Sequence, residues 1–214
     1  MNGLDNQKAY WDSVAAEKIF THPVRPDVLR DMVPLKSRIL DCGCGYGRTC
    51  SELADSGYRD IVGVDTSAEM IRRGLALYPG LSLQHIDSGG LPFPDNEFDA
   101  CILFAVLTCV PTDRGQTALI SELHRVVRSG GIIYLSDYPL QGDDRNNERY
   151  DAFEAVYGAR GVFRLADGCV VRHHAMSWIY ELLSQFDIVQ EETGEVSTMN
   201  GNAAKIFQIV AKKR

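Results

Sequence analysis

The amino-acid sequence predicts an α/β protein, a three-layer sandwich in which helices cover both faces of a doubly wound, mostly parallel sheet. The first observation is that short apolar segments alternate with helix-type segments between residues 38 and 137. The second is that many segment boundaries carry turn and cap signals. The third is composition: 214 residues, 45% of them hydrophobic, supply a sizeable core. Strands that alternate with helices predict a parallel sheet covered by those helices.

The predicted core elements follow in order along the chain. They are strand 38–41, helix 46–56, strand 61–65, helix 68–78, strand 81–86, strand 98–104, helix 113–128 and strand 132–137. Thr66-Ser67-Ala68-Glu69 is a capping box that begins the second helix. Ser129-Gly130-Gly131 is typical of a helix end.

The flanking segments predict a cap and a lid on one domain, residues 1–214. Residues 1–34 form an N-terminal helical cap, with a helical pattern over 10–32 that Pro23 and Pro26 interrupt. The core is 35–138, and 139–174 is a lid or acceptor insertion with a short helix near 150–157 and a hairpin, 162–165 and 169–173, around Asp167-Gly168. Residues 175–214 add helix 176–185 and closing strands 186–190 and 204–211.

The charge and the apolar pattern of the sequence limit the classes of partner that the chain is expected to bind. The 22 Lys and Arg against 29 Asp and Glu give a net charge of −7, which disfavours a nucleic acid partner. No segment reaches the roughly 18 to 20 apolar residues of a membrane span, and the polar start lacks a leader pattern. The six cysteines show no CxxC pair and are expected to be reduced. We therefore expect a cytoplasmic protein, monomer or homodimer, without a membrane or metal partner.

The most informative string is a strand that ends in Asp41 and turns through Gly43, Gly45 and Gly47 into a helix at Arg48. Such glycines let a ligand approach the backbone at a helix N-terminus. The spacing is GxGxG rather than the dinucleotide GxGxxG, and no Gly-Lys-Ser/Thr follows. A carboxylate at position 41 repels a pyrophosphate and stabilises an ammonium group. The ligand is therefore expected to be partly cationic.

Two further acids end neighbouring strands. Asp65, 22 residues after Gly43, is placed to accept hydrogen bonds from ribose hydroxyls. Asp87 is placed to read an adenine amino edge, with Met70 and Ile86 packed on the ring. Amine, ribose and adenine together describe S-adenosylmethionine.

Four strings in order resemble the class I S-adenosylmethionine-dependent methyltransferases, in particular the small-molecule group of the methyltransferase type 11 kind. They are ILDCGCGYGR at 39–48, GVDTSAEMI at 63–71, HIDSGGLPFPDNEFDACILFAVL at 85–107 and LHRVVRSGGIIYLSD at 123–137. The resemblance implies a seven-stranded sheet with its last strand antiparallel. It also implies a cofactor site that releases S-adenosylhomocysteine, built by Asp41, Gly43, Cys44, Gly45, Gly47, Arg48, Asp65, Thr66, Met70, Asp87, Ser88, the backbone near Phe104, and Tyr10 of an aromatic cap.

Methyl transfer from a sulfonium has a neutral leaving group, so alignment and a dry site matter more than a general base. A base is needed when the acceptor is a hydroxyl or a protonated amine. The candidates are His22, His173 and His174, with Tyr138 at the end of the fifth core strand; His85 and His124 are interpreted as structural. Relatives often have Leu-His-His where this chain has Leu107-Thr108-Cys109, so no base is expected there.

The sequence therefore predicts a methyltransferase for a small-molecule acceptor. Three alternatives stay open: a tRNA or protein methyltransferase, a metalloid methyltransferase that uses Cys109 or Cys169, and a cofactor-binding protein without catalysis. Cys42 and Cys44 are interpreted as packed thiols rather than metal ligands. A set of arginines in and after the insertion either holds an anionic substrate or is solvated. They are Arg145, Arg149, Arg160 and Arg164.

Overall fold

The computed structural model describes residues 4–87 and 90–214 and confirms the predicted fold class. Its strands are β1 (Arg38–Cys42), β2 (Asp60–Asp65), β3 (Ser82–His85), β4 (Phe98–Phe104), β5 (Val127–Asp137), β6 (Val162–Arg164), β7 (Val170–Arg172), β8 (Phe186–Ser197) and β9 (Ala203–Lys213). Its helices are α1 (Lys8–Val14), α2 (Pro26–Arg30), α3 (Arg48–Asp55), α4 (Ala68–Leu77), α5 (Asp113–Val126), α6 (Asp144–Tyr157) and α7 (Met176–Leu182), with a 3-10 turn at Leu107–Cys109.

Seven strands form one sheet in the order β3-β2-β1-β4-β5-β9-β8. Strands β3, β2, β1, β4 and β5 are parallel to one another, whereas β9 is antiparallel to both β5 and β8. Because parallel strands share a direction, the carboxyl ends of β1, β2, β4 and β5 meet at one edge of the sheet. This edge is where a ligand site is expected.

The core lies on both faces of this sheet. Neighbouring residues of one strand point to opposite faces, so Ile39 packs with α2, α3 and α4, whereas Leu40 packs with α5 and α7. The same alternation separates Ile102 from Leu103 in β4. Burial on both faces explains why the central strands are continuous apolar runs. No helix in the described ranges is long and apolar enough to cross a bilayer.

Several predicted boundaries were wrong, each for a local reason. The N-terminal helical pattern splits into α1 and α2. Pro23 lies between the two helices, and Pro26 begins α2. Helix α6 begins six residues before the predicted 150, because Asp143 Oδ1 accepts a hydrogen bond from Asn146 N and caps it. Strand β5 begins at Val127, before the helix end that was predicted at 129–131. Those residues lie in an irregular part of β5, where Gly130 has φ +74°.

The insertion after β5 consists of α6 and the β6–β7 hairpin. The hairpin is antiparallel, with Val162 opposite Arg172, as the Asp167-Gly168 turn predicts. A bridge between Pro139 and His174 joins both ends of the insertion beside the end of β5. The insertion is thereby anchored at the ligand edge of the sheet.

Gly74 allows α4 to pack directly on the loop after β1. A Cβ at this position would lie 2.8 Å from the backbone oxygen of Tyr46, which cannot move away as a side-chain end can. Gly74→Ala should therefore lower the free energy of unfolding by about 1 to 3 kcal/mol, although alanine is the better helix former.

Urea unfolding of the two proteins measures this difference. Gly80→Ala is the matched control, since nothing lies within 4 Å of its Cβ position, and it should change the free energy by less than about 0.5 kcal/mol. A Gly74→Ala protein as stable as the wild type would contradict this packing.

Candidate functional site

A cavity of about 510 Å³ lies at the carboxyl ends of β1, β2, β4 and β5. Its floor is formed by the loops after these strands, and its cover by residues of the N-terminal segment (residues 4–25) and of the β6–β7 hairpin. The turn between β8 and β9 completes the wall through Thr198, Met199, Asn200 and Asn202. Loops from four different parts of the chain thus converge on one site.

The glycine loop (residues 43–47) needs glycine at all three positions. Gly43, Gly45 and Gly47 have φ of +76°, +54° and +80°, a region that other residues rarely adopt. A Cβ on Gly43 would lie 2.5 Å from Val106 Cγ2, and one on Gly45 would lie 2.0 Å from Phe20 Cε2. Gly43, Cys44, Gly45 and Arg48 line the cavity, whereas Gly47 caps α3 and faces Leu83.

Asp65 holds two pieces of backbone in place. Its Oδ2 accepts the Gly45 N–H at 2.8 Å, and its Oδ1 accepts the Ser67 N–H at 2.8 Å. Each carboxylate oxygen has a second lone pair, so both remain able to accept a hydroxyl from a ligand in the cavity. This pair of acceptor oxygens fits the two hydroxyls of a ribose.

Asp41 is buried below the glycine loop and also lines the cavity. Burial raises its pKa to about 7, while the Cys50 thiol, which donates to Oδ2 at 3.2 Å, and the charge of Arg48 oppose this shift. A cationic ligand group beside Asp41 would stabilise the ionised carboxylate. Arg48 itself is committed to Glu52 at 2.6 Å and to the carbonyl oxygen of His22.

The apolar and acidic groups predicted to contact adenine line the cavity. Buried Met70 and half-buried Ile86 face the cavity together with Thr66, and exposed Asp87 lies at its rim. Ser88, also predicted to contact adenine, lies outside the described residues.

The end of β4 carries a backbone feature that sequence reasoning missed. Phe104 lines the cavity, and the next residue, Ala105, has φ +54° although it is not glycine. Ala105 N donates to Ser136 O at 2.8 Å, which fixes this turn against β5. Strained positions of this kind occur where a site needs a particular backbone direction.

His22, Tyr138 and His173 form a row along one cavity wall. The ring centroids of His22 and Tyr138 are 4.8 Å apart, and those of Tyr138 and His173 are 5.4 Å apart. Burial lowers the pKa of His22 to about 4 and that of His173 to about 3, so both rings are neutral at pH 7. Burial also raises the pKa of the Tyr138 hydroxyl, which therefore keeps its proton.

The two histidines differ in their partners. His173 Nδ1 lies 2.6 Å from the Tyr150 hydroxyl, which accepts the Gln141 N–H and so is free to donate to the ring. His22 Nε2 is buried and has no hydrogen-bond partner in the part of the chain that the structure describes. An unpaired buried nitrogen on a cavity wall marks a position where a ligand donor is expected.

His174 occupies a different environment from the other candidates. It is fully buried, and it is not among the residues of the cavity wall. Its Nδ1 lies 3.0 Å from Tyr138 O and its Nε2 lies 2.9 Å from Gln116 Nε2, so both ring nitrogens are used within the protein. The sequence-based hypothesis that His174 acts as a base does not fit this placement, which is structural.

Comparisons with known proteins agree with this geometry. A family model for the methyltransferase domain matches residues 40–135, a little under half of the chain. The crystal structure of a SAM-dependent methyltransferase from Methanosarcina mazei superposes with a TM-score of 0.83 and 25% identity, over 91% of this chain and 99% of that chain. These likenesses, together with the strand order, support a class I, Rossmann-like methyltransferase.

Curated relatives of this chain differ in the acceptors that their names give. A demethylmenaquinone methyltransferase from Beutenbergia cavernae is 34% identical over 56% of this chain and 46% of its own length. A mouse eEF1A lysine and N-terminal methyltransferase is 31% identical over 49% of this chain and 16% of its own length. The match thus spans about half or less of the length of these relatives. Their names include a small-molecule and a protein acceptor.

The N-terminal segment is hydrogen-bonded to the insertion hairpin across the cavity. The Tyr10 hydroxyl and the Lys18 ammonium both donate to Asp167 Oδ2, at 2.7 and 2.9 Å. The Gln7 amide donates to Val170 O at 2.7 Å and accepts from Val170 N at 2.8 Å. Tyr10, predicted to contact the cofactor, therefore lines the cavity, but its hydroxyl binds Asp167 of the hairpin.

Phe20 is the main cavity residue that sequence reasoning missed on this segment. It stacks on Tyr46 with centroids 4.9 Å apart and touches the glycine loop. The aromatic content of residues 10–20 was the only available signal. The polar β8–β9 turn gave none, because its approach depends on pairing between distant strands.

The cysteines are buried or half-buried thiols. Cys109 and Cys169 face the cavity, and burial raises the pKa of both, that of Cys169 to about 12. Within 4–87 and 90–214, no three His, Cys, Asp or Glu side chains are arranged to hold a metal ion.

Replacement of His174 tests its structural role. His174→Ala should lower the free energy of unfolding by about 2 to 3 kcal/mol at pH 7.5, because it removes two buried hydrogen bonds and leaves a cavity in place of a fully buried ring. The loss is read from urea unfolding curves.

The difference in free energy of unfolding between the wild type and His174→Ala should become smaller as the pH falls. Burial lowers the His174 pKa to about 3 in the folded state, against about 6.5 unfolded, so the wild type loses stability as pH falls below 6.5. The difference between the two proteins should fall by about 1 kcal/mol between pH 7.5 and 5.5. The exposed His85 supplies the control variant, His85→Ala. A constant difference, or none, would contradict the assignment.

Proposed function

We propose that this chain is an S-adenosylmethionine-dependent methyltransferase that methylates a small-molecule acceptor. The observation that carries the proposal is the cavity itself. At the strand ends it carries side chains suited to bind a ribose, an amine and an adenine. These are continuous with a second region, which lies under the N-terminal segment and the hairpin.

The cofactor end is supported by the fit of its residues. We assign Asp65, which lines the cavity, to the ribose hydroxyls, and Asp41, which lies beside the glycine loop, to the amine. Asp87, Met70 and Ile86 frame the adenine. When bound there, S-adenosylmethionine supplies a methyl group on a sulfonium that a nucleophile can displace in line.

The acceptor end is supported by the row of His22, Tyr138 and His173. Neutral His22 offers an unpaired nitrogen that accepts a hydrogen bond from an O–H or N–H nucleophile. Its low pKa makes it a weak base, so we assign it to orienting the nucleophile rather than to full proton removal. Tyr138 and His173 extend the wall along which the acceptor lies.

The cover over the cavity favours a small acceptor over a macromolecule. Tyr10, Lys18 and Gln7 tie the N-terminal segment to the hairpin, so a protein or RNA would first have to break these contacts. The same cover excludes water from a reaction that needs a dry site. The net charge of −7 also disfavours RNA.

Asp65→Ala tests the cofactor assignment. The variant should bind S-adenosylmethionine more weakly by about 2 to 3 kcal/mol, because two charge-assisted hydrogen bonds to the ribose are lost. Isothermal titration of the purified full chain measures the affinity.

Asp60→Ala is the control, since Asp60 begins the same strand but is exposed and pairs with Arg38 away from the cavity. It should leave the affinity unchanged. Equal affinity of the Asp65→Ala and wild-type proteins would refute the ribose contact.

A further inference from the structure

Two arginines of the insertion face the acceptor end of the cavity, and the other two do not. Arg145 and Arg149 on α6 line the cavity, whereas Arg160 and Arg164 are absent from its wall. Arg160 pairs with Asp151 at 2.7 Å and Glu154 at 3.1 Å. The arrangement thus separates solvent-facing arginines from those that a ligand can reach.

Arg149 is held in place without a carboxylate. Its guanidinium lies 5.2 Å from the centroid of the Phe163 ring, and Nη1 donates to Asn146 Oδ1 at 3.3 Å. Asn146 is itself buried and fixed by Asp143 at 2.6 Å. No acidic side chain in the described ranges forms an ion pair with Arg149. A positioned guanidinium without an ion-pair partner is suited to bind an oxyanion through its planar set of donors.

Charges of both signs lie near Arg149. Arg145 and Asp143 lie 3.7 Å apart, and both act electrostatically on Arg149 and on His173. Arg145 lies on the cavity wall, whereas Asp143 does not. Apolar groups also lie on the cavity wall, including Leu165, Val171 and Met199.

The position of Arg149 favours the acceptor over the cofactor as its ligand. Phe163, on which Arg149 lies, is 5.0 Å from His173 between ring centroids, and His173 is followed along the wall by Tyr138 and His22. His22 adjoins Arg48 and the glycine loop. The whole row therefore separates Arg149 from the expected methionine end of the cofactor.

We propose that Arg149, assisted by Arg145, binds an oxyanion of the methyl acceptor, so that the acceptor is a carboxylate or phosphate carried on an apolar body. This assignment rests on the proposed function and adds its substrate class. The anion is held at the far end of the row, and the reacting atom lies toward His22. Carboxylate and phosphate share the required chemistry, and the experiment distinguishes them.

The test is isothermal titration of the full chain with three probes of matched apolar body, in the presence and absence of S-adenosylhomocysteine. The probes are naphthoate, its neutral amide naphthamide, and naphthyl phosphate. Wild-type protein should bind at least one anion about tenfold more tightly than the amide. The tighter anion identifies the acceptor group as carboxylate or phosphate.

Variants assign the preference to one side chain. Arg149→Gln should abolish the preference for the anion, and Arg149→Lys should retain part of it, because the charge remains but the planar fork is lost. Arg164→Gln is the matched control, with the same change of charge on an exposed residue of the same insertion, and should keep the full preference.

Three results would overturn the proposal. They are equal binding of the anions and the amide by the wild type, absence of binding by all three probes, and an anion preference that survives in Arg149→Gln. Titration of S-adenosylhomocysteine into the same samples separates this test from the proposed function. If Arg149→Gln binds S-adenosylhomocysteine with unchanged affinity, Arg149 belongs to an acceptor site rather than to the cofactor site. If no protein binds S-adenosylhomocysteine, the cofactor assignment is refuted. The probe titrations without S-adenosylhomocysteine then still decide the anion site.

Discussion

The carboxylate of Asp65 is the contact on which the site depends. Its two oxygens hold Gly45 of the glycine loop and Ser67 at the start of α4, so one side chain joins the turn after β1 to the turn after β2. Ser67 in turn caps α4 and binds Asp12 of α1 at 2.7 Å. The floor of the cavity and the first part of its cover are therefore placed by one connected set of hydrogen bonds. A ligand that binds Asp65 therefore lies on the floor of the cavity and under its cover.

The second constraint is the contact between chain ends that are distant in sequence. Residues 7–18 meet the β6–β7 hairpin through polar side chains rather than through a large apolar interface. Such contacts are individually modest, and they can be exchanged with water when the cover opens. The cover of the cavity is thereby fastened to the hairpin by a few polar contacts between segments distant in sequence.

Much of the fold was predictable because its signals are local. Alternating apolar segments, the Ser67 cap and the Asp167-Gly168 turn each act within a few residues, and the structure confirms them. The glycine loop and Asp65 were singled out for the same reason, and both line the cavity. His174 was misplaced because adjacent residues of an extended chain point in opposite directions, and sequence alone did not show that His173, not His174, faces the cavity.

Other parts of the site arise only from tertiary packing. The close approach of Phe20 to Gly45, the neutral state of His22 and the selection of Arg149 over Arg164 depend on which segments fold over the sheet. No short-range pattern specifies those approaches. The β5 irregularity is similar, because it reflects the pairing of β5 with β4 rather than the helix-ending glycines themselves.

The most direct test of the central claim is methyl transfer by the purified full chain from methyl-labelled S-adenosylmethionine. The acceptor mixture is a cell extract separated into small-molecule, RNA and protein fractions, and products are detected by mass spectrometry. The structure predicts binding of the cofactor and a labelled product, heavier by one methylene, in the small-molecule fraction. Label in only the RNA or protein fraction, or cofactor binding with no product in any fraction, would contradict the account.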